Sequence, residues 1–142
     1  TESWLTDSTQ QLASLEHYNS FHTVCDDGRR GGGISVFVNS KFKTTVLNDF
    51  TRSLLHIEAL FLEIRTLDEI VLCGTIYRPP NSDPAAFIDA MDQLLSSINR
   101  TLYKEVIIPG DFKIDILTHI NNPVAQQFLN TFQIFFFSPC DI

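Results

Sequence analysis

The chain has 142 residues, of which 44% are hydrophobic and 19% are charged, and its formal net charge is −7. This length and composition predict one globular domain over residues 1–142, and no apolar stretch approaches the roughly 20 residues that a membrane-spanning helix needs. The three cysteines are widely spaced and form no Cys-x-x-Cys pair, which argues against a disulfide framework and a zinc site and indicates a reducing, intracellular compartment.

The first third of the chain predicts a short helix and then a β-hairpin. Residues 7–16 are polar with leucines on one face, which favours a helix. Tyr18–Val24 and Ile34–Val38 have the pattern of two strands, and the charged, glycine-rich segment Asp26–Gly33 between them predicts a turn. A further short strand is expected at Thr44–Leu47.

Two longer apolar runs follow, and a short turn separates them. Ile57–Ile64 and Glu69–Tyr77 predict strands, and the turn Arg65–Asp68 is short enough to join them as an antiparallel hairpin. The second run is rich in β-branched residues, which is typical of a buried strand, and it ends in Tyr77-Arg78-Pro79-Pro80.

Two helices are marked by the same capping signal. Asp83 and Pro84 predict the N-cap and first position of one helix, and Asn122-Pro123 repeats the signal for a second. Each is followed by an apolar stripe with helical spacing. The stripes consist of Phe87, Ile88, Met91, Leu94, Leu95 and Ile98 in the first helix, and of Val124, Phe128, Leu129 and Phe132 in the second. After the second helix, Ile134–Phe137 predicts a last strand.

The segment between the helices carries the most informative pattern. Val106–Ile108 predicts a strand buried on both faces, and it ends at Pro109-Gly110, which delivers Asp111 to the rim of the sheet. Tyr77 stands at the end of the earlier buried run. Two core strands therefore carry polar groups to their ends, and the alternation of strands and helices predicts an α/β fold.

Four motifs in order resemble one known family. They are Glu2-Ser3-Trp4-Leu5, Arg30-Gly31-Gly32-Gly33-Ile34, Ile76-Tyr77-Arg78-Pro79-Pro80 and Pro109-Gly110-Asp111-Phe112. Together they are similar to the endonuclease/exonuclease/phosphatase superfamily, especially the apurinic-type endonuclease domain of LINE-type (non-LTR) retrotransposon polyproteins. The resemblance implies a four-layer α/β sandwich, with two mixed sheets flanked by helices. It also implies a partial domain, since the family's first strand would precede Thr1 and its closing Ser-Asp-His segment would follow Ile142.

The resemblance assigns a role to five residues. Glu2 matches the family's ligand for Mg²⁺ or Mn²⁺, Tyr77 matches the tyrosine that contacts the scissile phosphate, and Asp111 matches the aspartate that orients or deprotonates the attacking water. Arg30 and Arg78 are expected to touch the DNA backbone. Each residue also has a structural explanation: an exposed terminal acid, a half-buried strand-end aromatic, a turn acid, or solvated cations.

Two departures from the family pattern predict loss of activity. Lys113 stands where the family has asparagine, and an ammonium only donates hydrogen bonds whereas an amide also accepts them. Loss of one transition-state donor typically costs roughly 10²–10³ in rate. None of the four histidines follows an aspartate as the family's catalytic histidine does, and general acid/base assistance is typically worth roughly 10²–10⁴.

The resemblance implies a function with a defined chemistry. The parent reaction is metal-dependent nicking of a DNA strand, in the nucleus, to prime the reverse transcriptase of the same polyprotein. This copy is expected to be degenerate, and its acidity lowers the expectation of DNA binding. A phosphoesterase of the same superfamily and a non-catalytic binding module remain alternatives. The missing strands, and the few partners left for Phe135–Phe137, predict aggregation of the isolated chain.

Overall fold

A computed structural model describes residues 3, 5, 13–23, 32–53 and 56–137 of the chain. The predicted hairpin is present in it: β1 (Tyr18–Thr23) pairs antiparallel with β2 (Ile34–Asn39), and Thr23 lies opposite Ile34. Of the segment that joins these strands, residues 24–31 lie outside the described residues, and the description resumes at Gly32. Of the helix predicted over residues 7–16, positions 7–12 also lie outside them, and positions 13–16 are not helical.

A larger sheet of six strands forms the centre of the fold. Its strands are β3 (Lys43–Val46), β4 (Arg52–Ser53), β5 (Glu58–Arg65), β6 (Ile70–Tyr77), β7 (Glu105–Ile107) and β8 (Gly110–Asp111). The order is β3-β5-β6-β7, with β4 beside β5 and β8 beside β6. β5 and β6 form the predicted antiparallel hairpin, whereas β7 and β8 run parallel to β6. The crossover from β6 to β7 contains the first helix, as parallel pairing requires.

The strands β5 and β6 are buried on both faces, which explains their nearly continuous apolar sequence. Ala59 and Phe61 of β5 pack in the cluster that faces the helices. Leu60 and Leu62 alternate with them and pack in a second cluster against Ile34 of β2. The small sheet β1–β2 therefore covers one face of the large sheet, and the helices cover the other. This arrangement is an α/β sandwich, and the predicted fold class is confirmed.

Both predicted helices are present and begin at their predicted caps. α1 spans Pro84–Ser96, and the Asp83 carboxylate accepts a hydrogen bond from the backbone N–H of Ala86 at 3.0 Å. α2 spans Pro123–Phe137, and the Asn122 side-chain oxygen accepts hydrogen bonds from the first turn of the helix. These side chains satisfy backbone donors that have no partner within the helix.

The strand predicted at Ile134–Phe137 is wrong, because these residues form the last turn of α2. Phe128, Thr131 and Phe135 are buried at helical spacing, so the apolar stripe continues through the aromatic run. A short apolar run does not distinguish a strand from a buried helix segment. The helical ending gives Phe135 a place in the core, where it is 7% exposed.

The prediction that Val106–Ile108 is buried on both faces is also wrong. β7 ends at Ile107, whose side chain is 50% exposed, and Val106 and Ile108 are only half-buried. Pro109 has no N–H to donate and interrupts the pairing before β8. Within the described residues β7 pairs only with β6, so this segment is an edge of the sheet and not its centre.

Candidate active site

Three polar side chains lie side by side where the central strands of the large sheet end. Glu58 of β5 is the cross-strand partner of Tyr77 of β6, and Tyr77 is in turn the partner of Asp111 of β8. Partners in register point to the same face of a sheet. This face is the one that β1 and β2 cover, because Tyr77 packs in the same cluster as Ile34. We call Glu58, Tyr77 and Asp111 the polar row.

Tyr77 is the inner member of the polar row. Its side chain is fully buried, so it is not the half-buried strand-end aromatic that the sequence allowed. The Lys113 ammonium donates a hydrogen bond to the Tyr77 hydroxyl oxygen at 3.2 Å and lies 4.8 Å from the centre of the ring. At this distance a cation is attracted to the face of an aromatic ring. Lys113 therefore covers the phenol.

Asp111 and Lys113 form a loose ion pair at the rim. The Lys113 ammonium lies 4.0 Å from the Asp111 carboxylate, and their side chains are 35% and 43% exposed, respectively. Pairs this exposed contribute about 0–1 kcal/mol, so the contact stabilises the fold little. Its importance is chemical, because a positive charge stands beside the one member of the polar row that is partly exposed, the Asp111 carboxylate.

Arg78 fixes the backbone around this pair. Its N–H donates to the carbonyl of Asp111 at 3.0 Å, and its guanidinium donates to the carbonyl of Lys113 at 3.2 Å. The Arg78 Nε atom is buried with no hydrogen-bond partner among the described residues. A buried donor of this kind costs about 1–3 kcal/mol unless an acceptor reaches it.

Lys113 occupies an unusual backbone conformation. Its φ is +50°, in the left-handed region, where non-glycine residues are uncommon and asparagine is enriched several-fold. The turn after β8 therefore has a geometry that asparagine would suit, although the side chain here is lysine. The departure at this position changes the charge of the site and leaves a backbone shape compatible with either residue.

Glu58 is a polar residue of this region that the sequence analysis did not single out. Its side chain is fully buried, and its carboxylate accepts a hydrogen bond from the backbone N–H of Gly33 at 2.7 Å. Gly32 has φ +94° and Gly33 has φ +77°, and a Cβ at Gly32 would lie 2.8 Å from a Glu58 oxygen. Glycines at both positions therefore let the loop approach the carboxylate closely. An acid within the apolar run of β5 was the signal available in the sequence.

The amino-terminal segment approaches the same end of the sheet. The Ser3 N–H donates to the carbonyl of Gly33 at 3.0 Å, and Gly33 in turn donates to Glu58. The predicted metal ligand Glu2 and the predicted DNA contact Arg30 lie outside the described residues. Contacts through Gly33 nevertheless link the neighbour of Glu2 to the polar row.

A divalent metal fits the described part of this site poorly. The described residues contain no cluster of three or more aspartate, glutamate, histidine or cysteine side chains that could hold a metal ion. The hard oxygen donors that Mg²⁺ prefers are represented at the rim by Asp111, and an ammonium already lies beside that carboxylate. A second cation there would be repelled by Lys113.

Two other titratable groups are explained by burial. The His22 ring lies 2.9 Å from the hydroxyl of Ser35 in the small sheet, and burial lowers the pKa of this histidine, so that its neutral form is favoured. Burial also raises the pKa of the Cys73 thiol, which disfavours the thiolate form that reacts as a nucleophile. The His119 ring lies 3.0 Å from the carbonyl of Ile116, in the turn before α2.

No protein-family model matches the chain, and no curated protein matches it. Among solved structures, it superposes with a TM-score of 0.65 on the endonuclease domain of TRAS1, a telomere-specific non-LTR retrotransposon. The two share a fold. The superposition covers 85% of this chain and 53% of that one, so the chain spans about half the length of this neighbour, and the sequence identity is 11%. At this identity the likeness establishes architecture, and the roles of residues rest on their geometry. No helix in the described ranges is long and apolar enough to cross a membrane.

Proposed function

We propose that this chain is a partial, degenerate endonuclease domain of a LINE-type retrotransposon. The parent reaction is hydrolysis of a DNA phosphodiester with Mg²⁺ or Mn²⁺, which nicks a chromosomal strand in the nucleus. The exposed 3′-hydroxyl then primes a reverse transcriptase in the same polyprotein. Support comes from the fold of the retrotransposon endonuclease and from the polar row, which brings Tyr77 and Asp111 together at the rim of the sheet.

In the parent chemistry each member of the site has one task. Asp111 orients and deprotonates the attacking water, and Tyr77 donates a hydrogen bond to charge that develops on the phosphate. Arg78 and Arg30 hold the DNA backbone, because guanidinium groups match phosphate oxygens in charge and shape. Glu2 would hold the divalent metal, which supplies Lewis-acid stabilisation of the leaving oxygen when it is bound.

The position of Lys113 carries the inference that this copy is inactive. Its ammonium is 3.2 Å from the Tyr77 hydroxyl and 4.0 Å from the Asp111 carboxylate, so it contacts both groups that would carry the reaction. A positive charge beside this carboxylate opposes the binding of a divalent cation there. The site that would bind a metal and a phosphate is therefore altered at its centre.

Plasmid nicking tests this function. Supercoiled plasmid is incubated with Mg²⁺ and either this chain, an extended chain that includes the family's first strand and Ser-Asp-His segment, or the extended chain with Lys113→Asn. We expect nicked circles only from the last protein, and we expect its Asp111→Ala variant to be inactive. Nicking by this chain as it stands would contradict the proposed inactivity.

A non-catalytic binding module is the second candidate, and the ammonium beside Asp111 favours it. If the extended Lys113→Asn chain folds, as judged by circular dichroism, yet nicks no DNA, the module is supported and the nuclease ancestry fails. If the same protein hydrolyses a small phosphate ester and leaves plasmid intact, the phosphoesterase alternative replaces both.

A further inference from the structure

Contacts of three kinds join the ammonium of Lys113 to described residues at the rim. It donates a hydrogen bond to Tyr77, lies over the ring of that residue, and pairs loosely with Asp111. Tyr77 is fully buried, whereas the Lys113 side chain keeps 35% of its surface exposed. Of these two side chains, that of Lys113 is the one open to a ligand arriving from solvent.

We propose that Lys113 acts as a built-in cation and makes this site bind a phosphate of the DNA backbone without a divalent metal. This inference rests on the proposed function, since it takes DNA as the ligand. A lysine ammonium is a compact positive charge that donates up to three hydrogen bonds and serves as a phosphate binder in proteins. Tyr77 and Asp111 would position it, and it would contact the phosphate directly.

Electrostatics favours this occupant over a metal. Charges as close as those of Lys113 and Asp111, which lie 4.0 Å apart, still interact at a protein surface, because this separation is shorter than the screening length of physiological salt. A divalent ion bound to Asp111 would lie at a similar distance from the ammonium and would be repelled more strongly. A phosphate at the same place is attracted, and Asp111, which pairs loosely with the ammonium, is partly exposed to solvent.

A second donor lies close to the first. Arg78 binds the carbonyl of Lys113 through its terminal nitrogen, which ties the two residues together, and its Nε–H is buried without an acceptor among the described residues. A phosphate oxygen is the kind of acceptor that would satisfy such a donor. The net charge of −7 opposes a polyanion, so we expect weak binding that depends on this local pair of cations.

Binding to a short fluorescein-labelled DNA duplex, measured by anisotropy, tests the inference. The full chain is carried on a solubility partner, whose own binding is subtracted, and buffers with EDTA or MgCl₂ are matched in ionic strength. We expect the wild-type Kd to be the same in both buffers. Lys113→Asn should weaken binding in EDTA roughly tenfold, the equivalent of one charge-assisted contact, and Mg²⁺ should improve the binding of this variant. For Lys113→Asn, the slope of log Kd against log salt concentration should decrease by the equivalent of about one phosphate contact.

Lys104→Asn is the matched control, because it removes the same charge from an exposed lysine just before β7. It should change the Kd less than twofold, roughly the effect of a distant surface charge. Equal losses in the two variants, or wild-type binding that requires Mg²⁺, would overturn the inference. So would the absence of wild-type binding in EDTA. The proposed function depends separately on nicking by the extended chain.

Inorganic phosphate distinguishes the source of the ligand. If the site takes a backbone phosphate as part of DNA, millimolar phosphate should displace the duplex no more than sulfate does at equal ionic strength. Selective displacement by inorganic phosphate would assign the site to free phosphate or small phosphate esters and would overturn the DNA assignment. Circular dichroism of both variants verifies that any change in Kd reflects a folded protein.

Discussion

At the scale of single residues, the polar row depends on the register of β5, β6 and β8 and on the left-handed turn at Lys113. Tyr77 and Asp111 were predicted to stand at strand ends, and the structure makes them register partners. The burial of Tyr77 and its contact with Lys113 could not be predicted from the sequence. These facts depend on the pairing of β8 with β6 and on the left-handed turn at Lys113, which are set by tertiary contacts.

The burial of Glu58 also depends on tertiary contacts and was therefore not predicted. An acid within a strand is ordinarily a residue of a solvated face, and its burial follows from the small sheet that packs over it. Its partner, the Gly33 N–H, comes from a loop that lies 25 residues earlier in the chain. A periodicity argument considers neighbours along the strand and cannot find a contact of this kind.

We expect the hydrogen bond from Gly33 to Glu58 to stabilise the contact between the loop at Gly32 and Gly33 and the large sheet. Glu58→Ala would leave the buried Gly33 N–H without its acceptor and should lower the free energy of unfolding by about 1–3 kcal/mol. Glu58→Gln keeps an oxygen acceptor and should cost less. Urea denaturation followed by circular dichroism measures both, and Asp92→Ala, at an exposed acid on α1, is the control. Equal stability of the alanine variant and wild type would show that this hydrogen bond contributes nothing.

At the scale of elements, the strand and helix pattern was largely predictable where local signals were strong. The structure confirms the predicted caps at Asp83 and Asn122 and the short turn after Arg65, because each depends on a local interaction. The errors at Val106–Ile108 and Ile134–Phe137 concern apolar runs of three or four residues. Such runs carry no reliable period, and their structure depends on what packs against them.

One close contact between strands gives a prediction at this scale. Gly74 of β6 is the cross-strand partner of Phe61 of β5, and a Cβ at Gly74 would lie 2.2 Å from the Phe61 ring. The ring therefore fills the place of a side chain. Gly74→Ala should destabilise the fold by about 1–3 kcal/mol through overpacking.

A double-mutant cycle identifies the cause. If the ring is responsible, adding Phe61→Leu to Gly74→Ala should cost less than Phe61→Leu costs alone in the wild-type background, with a coupling of about 0.5–3 kcal/mol. Thermal or urea unfolding of the four proteins provides the values. Additive effects would mean that the strain lies in the backbone of β6 and not in the ring.

At the scale of the whole molecule, the sandwich was predictable because apolar strands and amphipathic helices alternate along the chain. The face on which each layer lies was not, since it depends on register. The molecule retains an edge at β7, where the described residues provide no strand on the far side of Glu105–Ile107. Ile107 is 50% exposed there. Unprotected edges of this kind pair with other chains.

We therefore expect the isolated chain to self-associate. Size-exclusion chromatography with light scattering should show a mass that rises with protein concentration, and Ile107→Lys should reduce the effect, because a charge on an edge strand opposes pairing. Leu67→Lys, at a fully exposed residue in the turn between β5 and β6, is the matched control and should change little. A monomeric chain with a cooperative thermal transition at all concentrations would contradict this expectation.

The left-handed turn at Lys113 has a genetic consequence. Lysine and asparagine codons share their first two bases, so one nucleotide change in the third base exchanges them. Because the backbone at this position already has a φ that asparagine favours, such a substitution would need no rearrangement of the loop. A single base change therefore exchanges the ammonium for an amide at this rim. Related copies of the gene are expected to differ at this position more readily than at the glycines whose backbone conformation excludes other residues.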